Sequence, residues 1–301
     1  MNLIQGKFMN IRRLIYGGFI FFLTGVFLVL SGCNKEESLN VPVNQGPDVI
    51  RNDLDQYIED NFTEEFGMAI RYRFVDRYVG PTQRVTPPRL EVVRPMLDFI
   101  DEFWIDPYIS VGNGEDFFRK HVPAEIVLLG GLIFNDDGTV ILGTADAGAQ
   151  ITFTDVNSVD FDDMDWLLQQ LQTVYHEFAH VVHQRYKLPN AFETITPQGY
   201  TSAGAWFTLT DEEALQRGFV SPYATSSPNE DFAEVVAYFL FDENFYENFI
   251  EAETGCITQD CENRNEGRVN INEKLNSILA HYEKVTGEKL EDVREKIHTK
   301  L

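Results

Sequence analysis

The sequence predicts an α+β fold in which a mixed sheet with helices comes first and a mainly helical part follows. Segments with the alternation or the continuous apolar character of strands end near residue 154. A long amphipathic segment follows at about 162–184, and the pattern is helical from about residue 229 to the end. These three observations predict an N-terminal lobe at about 48–184, a C-terminal lobe at about 185–301 and a cleft between them.

The N-terminal lobe is predicted to contain two helices and several short strands. In the first strand, at 68–75, Ile70 and Tyr72 alternate with Arg71 and Arg73, as expected for a half-buried strand. The remaining elements, in order along the chain, are helices at 47–61 and 87–103, strands at 124–129 and 151–154, and a hairpin of 132–134 with 139–142 around the turn 135–138.

The C-terminal lobe is predicted to be mainly helical. Segment 185–222, which contains Tyr200, Trp206 and Phe207, either walls the substrate side of the cleft or packs as ordinary core. The predicted helices span 229–240, 243–252, 268–286 and 288–299.

The long amphipathic segment carries an HExxH motif on the face opposite its apolar residues. His176 and His180 lie one helical turn apart, so both imidazoles can reach one zinc ion. Glu177 then lies beside the metal as a general base. The alternative is a surface helix with two solvated histidines. The apolar positions are Leu167, Leu171, Val174, Phe178 and Val181, and the candidate N-caps are Asp162 and Asp163.

A catalytic zinc site needs a third protein ligand. One extended form of the motif has another histidine at position 186, but this chain has Tyr186 there. A second predicted helix offers Glu230 and Glu234, one turn apart on the same side. We expect Glu230 to be the third ligand and Glu234 to accept the second N–H of a ligating histidine, which fixes the tautomer of that histidine.

Two alternatives remain open for these acidic residues. The run 227–230, Ser-Pro-Asn-Glu, spells a capping box, so Glu230 could instead cap its own helix. Asp231 and Glu234 compete with Glu230 as ligands, because spacing alone does not orient side chains. A cap would leave Glu234 unexplained, which favours Glu230 as a ligand.

HEFAH at 176–180 together with EDFAE at 230–234 resembles the gluzincin metallopeptidases, in particular their lethal-factor-like branch. The resemblance implies that the second segment supplies a ligand and then an acid that supports a ligand. It also implies that a tyrosine about two turns before the glutamate ligand stabilises the transition state. Tyr223 occupies that place, and the alternative is an ordinary loop tyrosine.

The whole chain is similar to the substrate import-associated zinc metallohydrolase lipoproteins of Gram-negative bacteria. The similarity lies in the region from Leu54 to Phe74, in HEFAHVVHQ at 176–184 and in GFVSPYA leading into NEDFAE. It implies a zincin-like fold, Zn²⁺ as cofactor, a peptide or protein substrate and an outer-membrane import receptor complex as a partner. In the zincin plan an edge strand pairs with an extended peptide, and segment 147–155 is our candidate for that edge.

We therefore expect a zinc-dependent metallopeptidase that hydrolyses peptide bonds at the cell surface in the service of nutrient import. The alternative is a surface-anchored binding lipoprotein of an import system, with a structural or vestigial metal site. A third possibility keeps the zinc hydrolase and changes its substrate to peptidoglycan stems or modified peptides.

His183 lies seven residues after His176, so we expect it to face the same cleft. One possibility is that it orients substrate or donates a proton. The other, which we favour, is that a neighbouring acid satisfies its hydrogen-bonding groups. A ligand role is disfavoured, because three ligands and a water complete a catalytic zinc site.

The N-terminus predicts a lipoprotein signal peptide at 1–32. Basic residues precede an apolar run from about Leu14 to Leu30, and the run ends in Leu-Ser-Gly before Cys33. Cys33 is then the lipidated residue, and 34–47 forms a polar tether. Lys35, Glu36 and Glu37 resemble a surface-export signal, which favours the outer face of the outer membrane over the periplasmic face. The alternative is a transmembrane anchor.

The composition is strongly acidic. The 301 residues carry a net charge of −24, and residues 1–32 contain three basic and no acidic side chains. Removal of the signal peptide would therefore leave 21 basic against 48 acidic side chains, a net charge of −27. Such a charge argues against binding to nucleic acid and to anionic lipid surfaces.

Cys256 and Cys261 are the other cysteines in the chain. In an oxidising compartment we expect a short disulfide between them, and free thiols are the alternative. No further cysteine or histidine lies nearby in sequence to complete a second metal site. The loop around them, to about Arg268, is polar and predicted to be a surface excursion.

Overall fold

The computed structural model describes residues 52–134, 140–141, 143–146, 149–202 and 204–301. Residues from Arg51 to Leu301 form one compact unit. The predictions about the signal peptide, Cys33, the tether and the hairpin turn at 135–138 lie outside the described residues. Among the described residues, no helix combines the length and the apolar character needed to cross a lipid bilayer.

The first half of the described chain alternates helices with short strands. Helix α1 continues through a π-helical turn, Glu59–Thr63, into α2, and α3 continues through another, Asp101–Ile105, into α4. The elements are α1 (Asp53–Ile58), α2 (Glu64–Phe66), β1 (Ala69–Arg71), α3 (Leu90–Ile100), α4 (Asp106–Ile109), α5 (Gly114–His121), β2 (Glu125–Leu128), β3 (Ile133–Phe134), β4 (Val140–Ile141), β5 (Gly143–Asp146) and β6 (Gln150–Phe153).

Every described element after β6 is helical. Short 3-10 turns, among them Trp206–Thr208 and Tyr223–Ser226, connect the longer helices. The helices are α6 (Met164–Tyr186), α7 (Asp211–Gln216), α8 (Pro228–Phe241), α9 (Phe245–Phe249), α10 (Gln259–Thr286) and α11 (Leu290–His298). The predicted α+β fold, with a mixed sheet before the long helix and helices after it, is confirmed.

The main sheet has four strands in the order β1-β2-β6-β5. β1, β2 and β6 are parallel, and β5 is antiparallel to β6. β2 buries apolar side chains on both faces, and β6 buries Ile151 and Phe153 on one face and Thr152 on the other, as in the interior of a covered sheet. β3 and β4 form the predicted hairpin, with Ile133 opposite Ile141.

The prediction that 147–155 forms the edge of the sheet is wrong. β6, which falls in that segment, lies between β2 and β5, and β5 is the edge strand on that side. β5 consists of Gly143-Thr144-Ala145-Asp146, a composition with low strand propensity and no apolar alternation. It pairs through its backbone, and a Cβ added at Gly143 would lie 2.2 Å from Thr173 Cγ2 of α6. The glycine therefore permits close packing of the edge strand on the long helix.

The prediction of a surface excursion up to Arg268 is also wrong, because α10 begins at Gln259. Thr258 caps α10 by accepting a hydrogen bond from the backbone N–H of Cys261. At Gly267 an added Cβ would lie 1.7 Å from the carbonyl oxygen of Leu215. Contact of α10 with α7 therefore stabilises a segment whose polar sequence gives no apolar face. A disulfide joins Cys256 to Cys261.

Candidate metal centre

The HExxH motif lies on helix α6, whose apolar side is packed in the core. Asp163 accepts hydrogen bonds from the backbone N–H groups of Asp165 and Trp166, so it is the N-cap. Leu171, Val174 and Phe178 are fully buried on the core side of the helix. The other side carries His176 and His180, whose side chains are 9% and 12% exposed.

Helix α8 brings the third candidate ligand to the two histidines. Its N-cap is Ser227, whose Oγ accepts a hydrogen bond from the backbone N–H of Glu230 at 3.2 Å, and Pro228 occupies the first turn. The cap thus uses the backbone N–H of Glu230, while the carboxylate of Glu230 contacts the histidines of α6. The two interpretations of Glu230 from the sequence are therefore compatible.

Three potential ligand atoms converge at this point. Glu230 Oε2 lies 3.0 Å from His176 Nε2 and 3.1 Å from His180 Nε2, and the two Nε2 atoms are 3.0 Å apart. Among the described residues these three form the group whose ligand atoms all lie within 4.8 Å of one another. Two imidazole nitrogens and a carboxylate oxygen are the protein ligands of many catalytic zinc sites, so the chemistry of the set fits zinc.

In the neutral tautomers that leave a lone pair on each Nε2, three acceptor atoms face one another, and a cation between them would satisfy all three. The electrostatics point the same way. Burial raises the pKa of the Glu230 carboxyl, but hydrogen bonds to the two histidines outweigh burial and hold it well below its usual range. Burial lowers the pKa of His176, but Glu230 and Glu234 outweigh burial and raise it to about 10. The site therefore attracts positive charge.

A chain of hydrogen bonds supports His176 from behind. Its Nδ1 lies 2.7 Å from Glu234 Oε1, and the Glu234 side chain is 2% exposed. Ser221 Oγ donates to the other oxygen of Glu234 and accepts the backbone N–H of Ala224 at 3.1 Å. The tautomer of His176 is therefore linked to the turn that carries Tyr223.

Tyr223 and Glu177 lie beside the three candidate ligands. The Tyr223 ring centroid is 5.8 Å from that of His176, and the residue is 38% exposed. Burial, and then the negative charges of Glu230 and Glu177, raise the pKa of the Tyr223 hydroxyl above its ordinary value. The hydroxyl stays protonated at neutral pH and can donate a hydrogen bond. Glu177 is half-buried, and its charge acts on both His176 and Tyr223.

Asp231 does not join the ligand group and does not face a cleft. Its carboxylate is fully buried, with Oδ2 2.7 Å from Lys274 Nζ and 2.8 Å from the hydroxyl of Tyr200. Burial raises the pKa of the Asp231 carboxyl to about 6, and Lys274 opposes that shift. Tyr200 also packs on Phe219 at 5.1 Å, so it belongs to the core.

His183 has a different partner from the acid that we favoured. Its Nε2 lies 2.7 Å from His180 Nδ1, and its ring packs against Phe232.

Two aromatic residues of segment 185–222 lie near Tyr223. The ring of Trp206 is 5.1 Å from that of Tyr223, and the more exposed Phe207 packs against Trp206. Through its contact with Tyr223, Trp206 lies next to the site. Tyr200 instead contacts Asp231 and Phe219.

Sequence reasoning did not identify Ser221 or Lys274. Lys274 had a readable signal, since it falls among Ile271, Leu275 and Ile278 on the apolar side of a predicted helix. A lysine in that register predicts a buried acidic partner. Ser221 gave no such signal, because its role depends on a turn between two helices.

Comparison with known proteins gives a consistent result. Residues 48–287 match the family model described as "Putative zinc-binding metallo-peptidase". A solved structure, that of a putative zinc-binding metallo-peptidase from Bacteroides caccae, is 27% identical to this chain and has a TM-score of 0.65. The similarity covers 81% of this chain and 90% of that chain. No curated protein matches the chain.

Proposed function

Because the chain belongs to this family of zinc-binding metallo-peptidases, we propose that it hydrolyses peptide bonds and that His176, His180 and Glu230 hold its zinc ion. The observation that carries the proposal is the convergence of their three ligand atoms within 4.8 Å. When bound, zinc supplies Lewis acidity toward a substrate carbonyl and lowers the pKa of a water molecule.

Glu177 acts as the general base in this proposal. Its carboxylate takes a proton from the attacking water and then delivers that proton to the nitrogen of the leaving amine. Its place next to His176 on α6, and the effect of its charge on both His176 and Tyr223, support this role. The three ligand atoms come from other residues, so the proposal assigns Glu177 to proton transfer and not to the metal.

Tyr223 donates a hydrogen bond to the substrate oxygen as negative charge develops on that oxygen. The raised pKa of its hydroxyl and its distance of 5.8 Å from His176, between ring centroids, support this role. The turn that carries Tyr223 is also linked to Glu234 through Ser221. The donor and the candidate ligand are therefore held by one set of hydrogen bonds.

The edge strand β5 binds the peptide backbone of the substrate in this proposal. β5 lies at the end of the sheet and packs on α6, the helix that carries the two histidines. Within the described parts of the chain no strand pairs with its outer edge, whose backbone donors and acceptors an extended peptide can pair with. This assignment replaces segment 147–155 as the candidate for substrate pairing.

The decisive experiment compares Glu177→Gln with the wild-type mature protein. We expect the variant to bind one zinc ion, as the wild type does, and to lose turnover of a peptide library by about 10²–10⁴-fold, because the amide cannot accept the proton. Glu266→Gln, which changes an exposed acid on α10, is the matched control and should keep full activity.

Three results would distinguish the alternatives. Substantial activity in the Glu177 variant would remove the assignment of the base. A wild type that binds zinc and cleaves none of the peptides would favour a binding lipoprotein. Cleavage only of peptidoglycan stems or modified peptides would retain the hydrolase and change the substrate class.

We further propose that the protein is a lipoprotein of the outer membrane that faces the cell exterior and serves nutrient import. The run Leu-Ser-Gly-Cys ending at Cys33, followed by Lys35, Glu36 and Glu37, supports this location. Metabolic labelling with a palmitate analogue should label the wild type and not Cys33→Ser. Protease treatment of whole cells should degrade the protein, whereas protection until the outer membrane is opened would place it on the periplasmic face.

A further inference from the structure

We propose that His183 is a positioning residue that selects the tautomer and the orientation of His180. The inference rests on the proposed role of His180 as a metal ligand. It assigns His183 neither to the metal nor to substrate.

The geometry gives His180 a second, specific contact on the side away from the other ligands. Its Nε2 faces Glu230 Oε2 and His176 Nε2, while its Nδ1 lies 2.7 Å from His183 Nε2. The two rings are nearly perpendicular, at 71°, with centroids 5.0 Å apart. Positions 180 and 183 lie on the same face of α6, so one helix presents both rings.

The polarity of this hydrogen bond decides whether His180 can bind a cation. A neutral imidazole carries one N–H, and the other nitrogen accepts. If His180 donates from Nδ1 to His183, its Nε2 presents a lone pair toward Glu230 and His176. If His183 donates instead, the proton of His180 lies on Nε2 and blocks that side. His183 must therefore act as the acceptor through Nε2 and carry its own proton on Nδ1.

Helix α8 holds His183 in this position. The residue is 7% exposed, and its ring lies 5.8 Å from the ring of Phe232 at an angle of 75°. Phe232 is itself buried and packs against Phe192 at 6.1 Å. Phe232 comes two residues after Glu230. The helix that supplies the candidate ligand Glu230 therefore also packs against His183, the residue that contacts the candidate ligand His180.

The two candidate histidine ligands then have hydrogen-bond acceptors of different charge behind them. His176 donates to the carboxylate of Glu234, whereas His180 donates to a neutral imidazole. A hydrogen-bond acceptor behind a ligand histidine fixes its ring and raises its affinity for metal. His183 provides that acceptor without adding a further negative charge to a region that already contains Glu177, Glu230 and Glu234.

The test is zinc affinity, measured on the mature protein by competition with a chromogenic chelator. His183→Leu removes the acceptor and should weaken zinc binding by about 10–100-fold. His183→Gln keeps an acceptor oxygen and should recover most of that loss. His281→Gln, which changes a half-buried histidine of α10 whose Nε2 lies 3.2 Å from the carbonyl oxygen of Lys187, is the control and should bind zinc as the wild type does.

The proposal fails if His183→Leu, shown to be folded by its metal-free thermal unfolding, binds zinc as tightly as the wild type. Absence of zinc binding by the wild type would instead refute the proposed function. A second measurement does not depend on the variants. Imidazole ¹⁵N spectra of the zinc-loaded wild type should show the His183 proton on Nδ1 and a coupling between His180 Nδ1 and His183 Nε2. A proton on His183 Nε2 would overturn the proposal.

Discussion

Removal of the Lys274 ammonium should destabilise the protein strongly, because it leaves a carboxylate buried without its counter-charge. Lys274 and Asp231 are both 0% exposed, and Nζ lies 2.7 Å from Asp231 Oδ2 and 2.7 Å from the carbonyl oxygen of Gly218. After Lys274→Met, Asp231 retains one hydrogen bond, from Tyr200, and its Oδ1 already has none within the described part of the chain.

The expected cost is about 3–5 kcal/mol in the free energy of unfolding, the usual range when one member of a buried ion pair is removed. For a domain of this size each 1 kcal/mol lowers the melting temperature by about 2–4 °C, so the shift should be roughly 6–20 °C. Replacing both charges, as Lys274→Met with Asp231→Asn, should restore most of the loss, since neither variant side chain then carries an unpaired charge.

The assay is thermal and denaturant unfolding of the metal-free mature protein, so that zinc binding does not contribute to the measured stability. Lys120→Met is the matched control, because Lys120 forms an ion pair with Asp116 at 2.5 Å in which both side chains are exposed. The control should unfold as the wild type does. A small loss for Lys274→Met, or an equal loss for the single and the double variant, would refute the reasoning.

Three other predictions follow from described contacts. Tyr223→Phe should lower kcat by about 10²–10³-fold, because the lost hydrogen bond forms in the transition state. KM and zinc content should stay close to those of the wild type. An unchanged kcat, measured with a peptide that the wild type cleaves, would contradict this role. Asp55→Asn should lower the stability at neutral pH and make it less dependent on pH, since Arg73 and other hydrogen-bond partners hold the pKa of the Asp55 carboxyl well below its ordinary range. A lowered pKa gives stability that is present above about pH 4 and is lost as the pH falls, so wild type and variant should differ at neutral pH and converge in acid unfolding titrations. Replacing Cys256 and Cys261 together by serine should cost about 2 kcal/mol from the loss of a short cross-link and leave zinc affinity unchanged. A thiol assay after unfolding and reduction should detect these cysteines in the wild type and not in the variant, and weaker zinc binding by the variant would contradict the prediction.

The parts of the site that lie within one helix could be predicted from the sequence. His176 and His180 share a face because of helical geometry, and the apolar residues opposite them show which face is free. The same reasoning applies to Glu230 and Glu234 on α8. The approach of Glu230 Oε2 to within 3.0 Å of His176 Nε2 depends on how α8 packs against α6. The hydrophobic periodicity of the sequence does not specify that packing.

The features that sequence reasoning missed depend on contacts between distant segments. β5 has no strand pattern of its own and is defined by its pairing with β6 and its packing on α6. The early part of α10 is helical because Gly267 allows contact with α7. Asp231 looked like a competing ligand until Lys274, on a different helix, proved to be its partner. In each case tertiary packing outweighed the local preference.

The pair of Lys274 and Asp231 also bears on when the metal site forms during folding. All three candidate ligands lie before residue 231, so a chain that ended there would contain the complete ligand set. That shorter chain would lack the cation that neutralises Asp231, the residue next to Glu230. Beyond its local N-cap, the start of α8 therefore gains stability when α10 docks, and we expect metal capture to depend on the C-terminal third of the molecule.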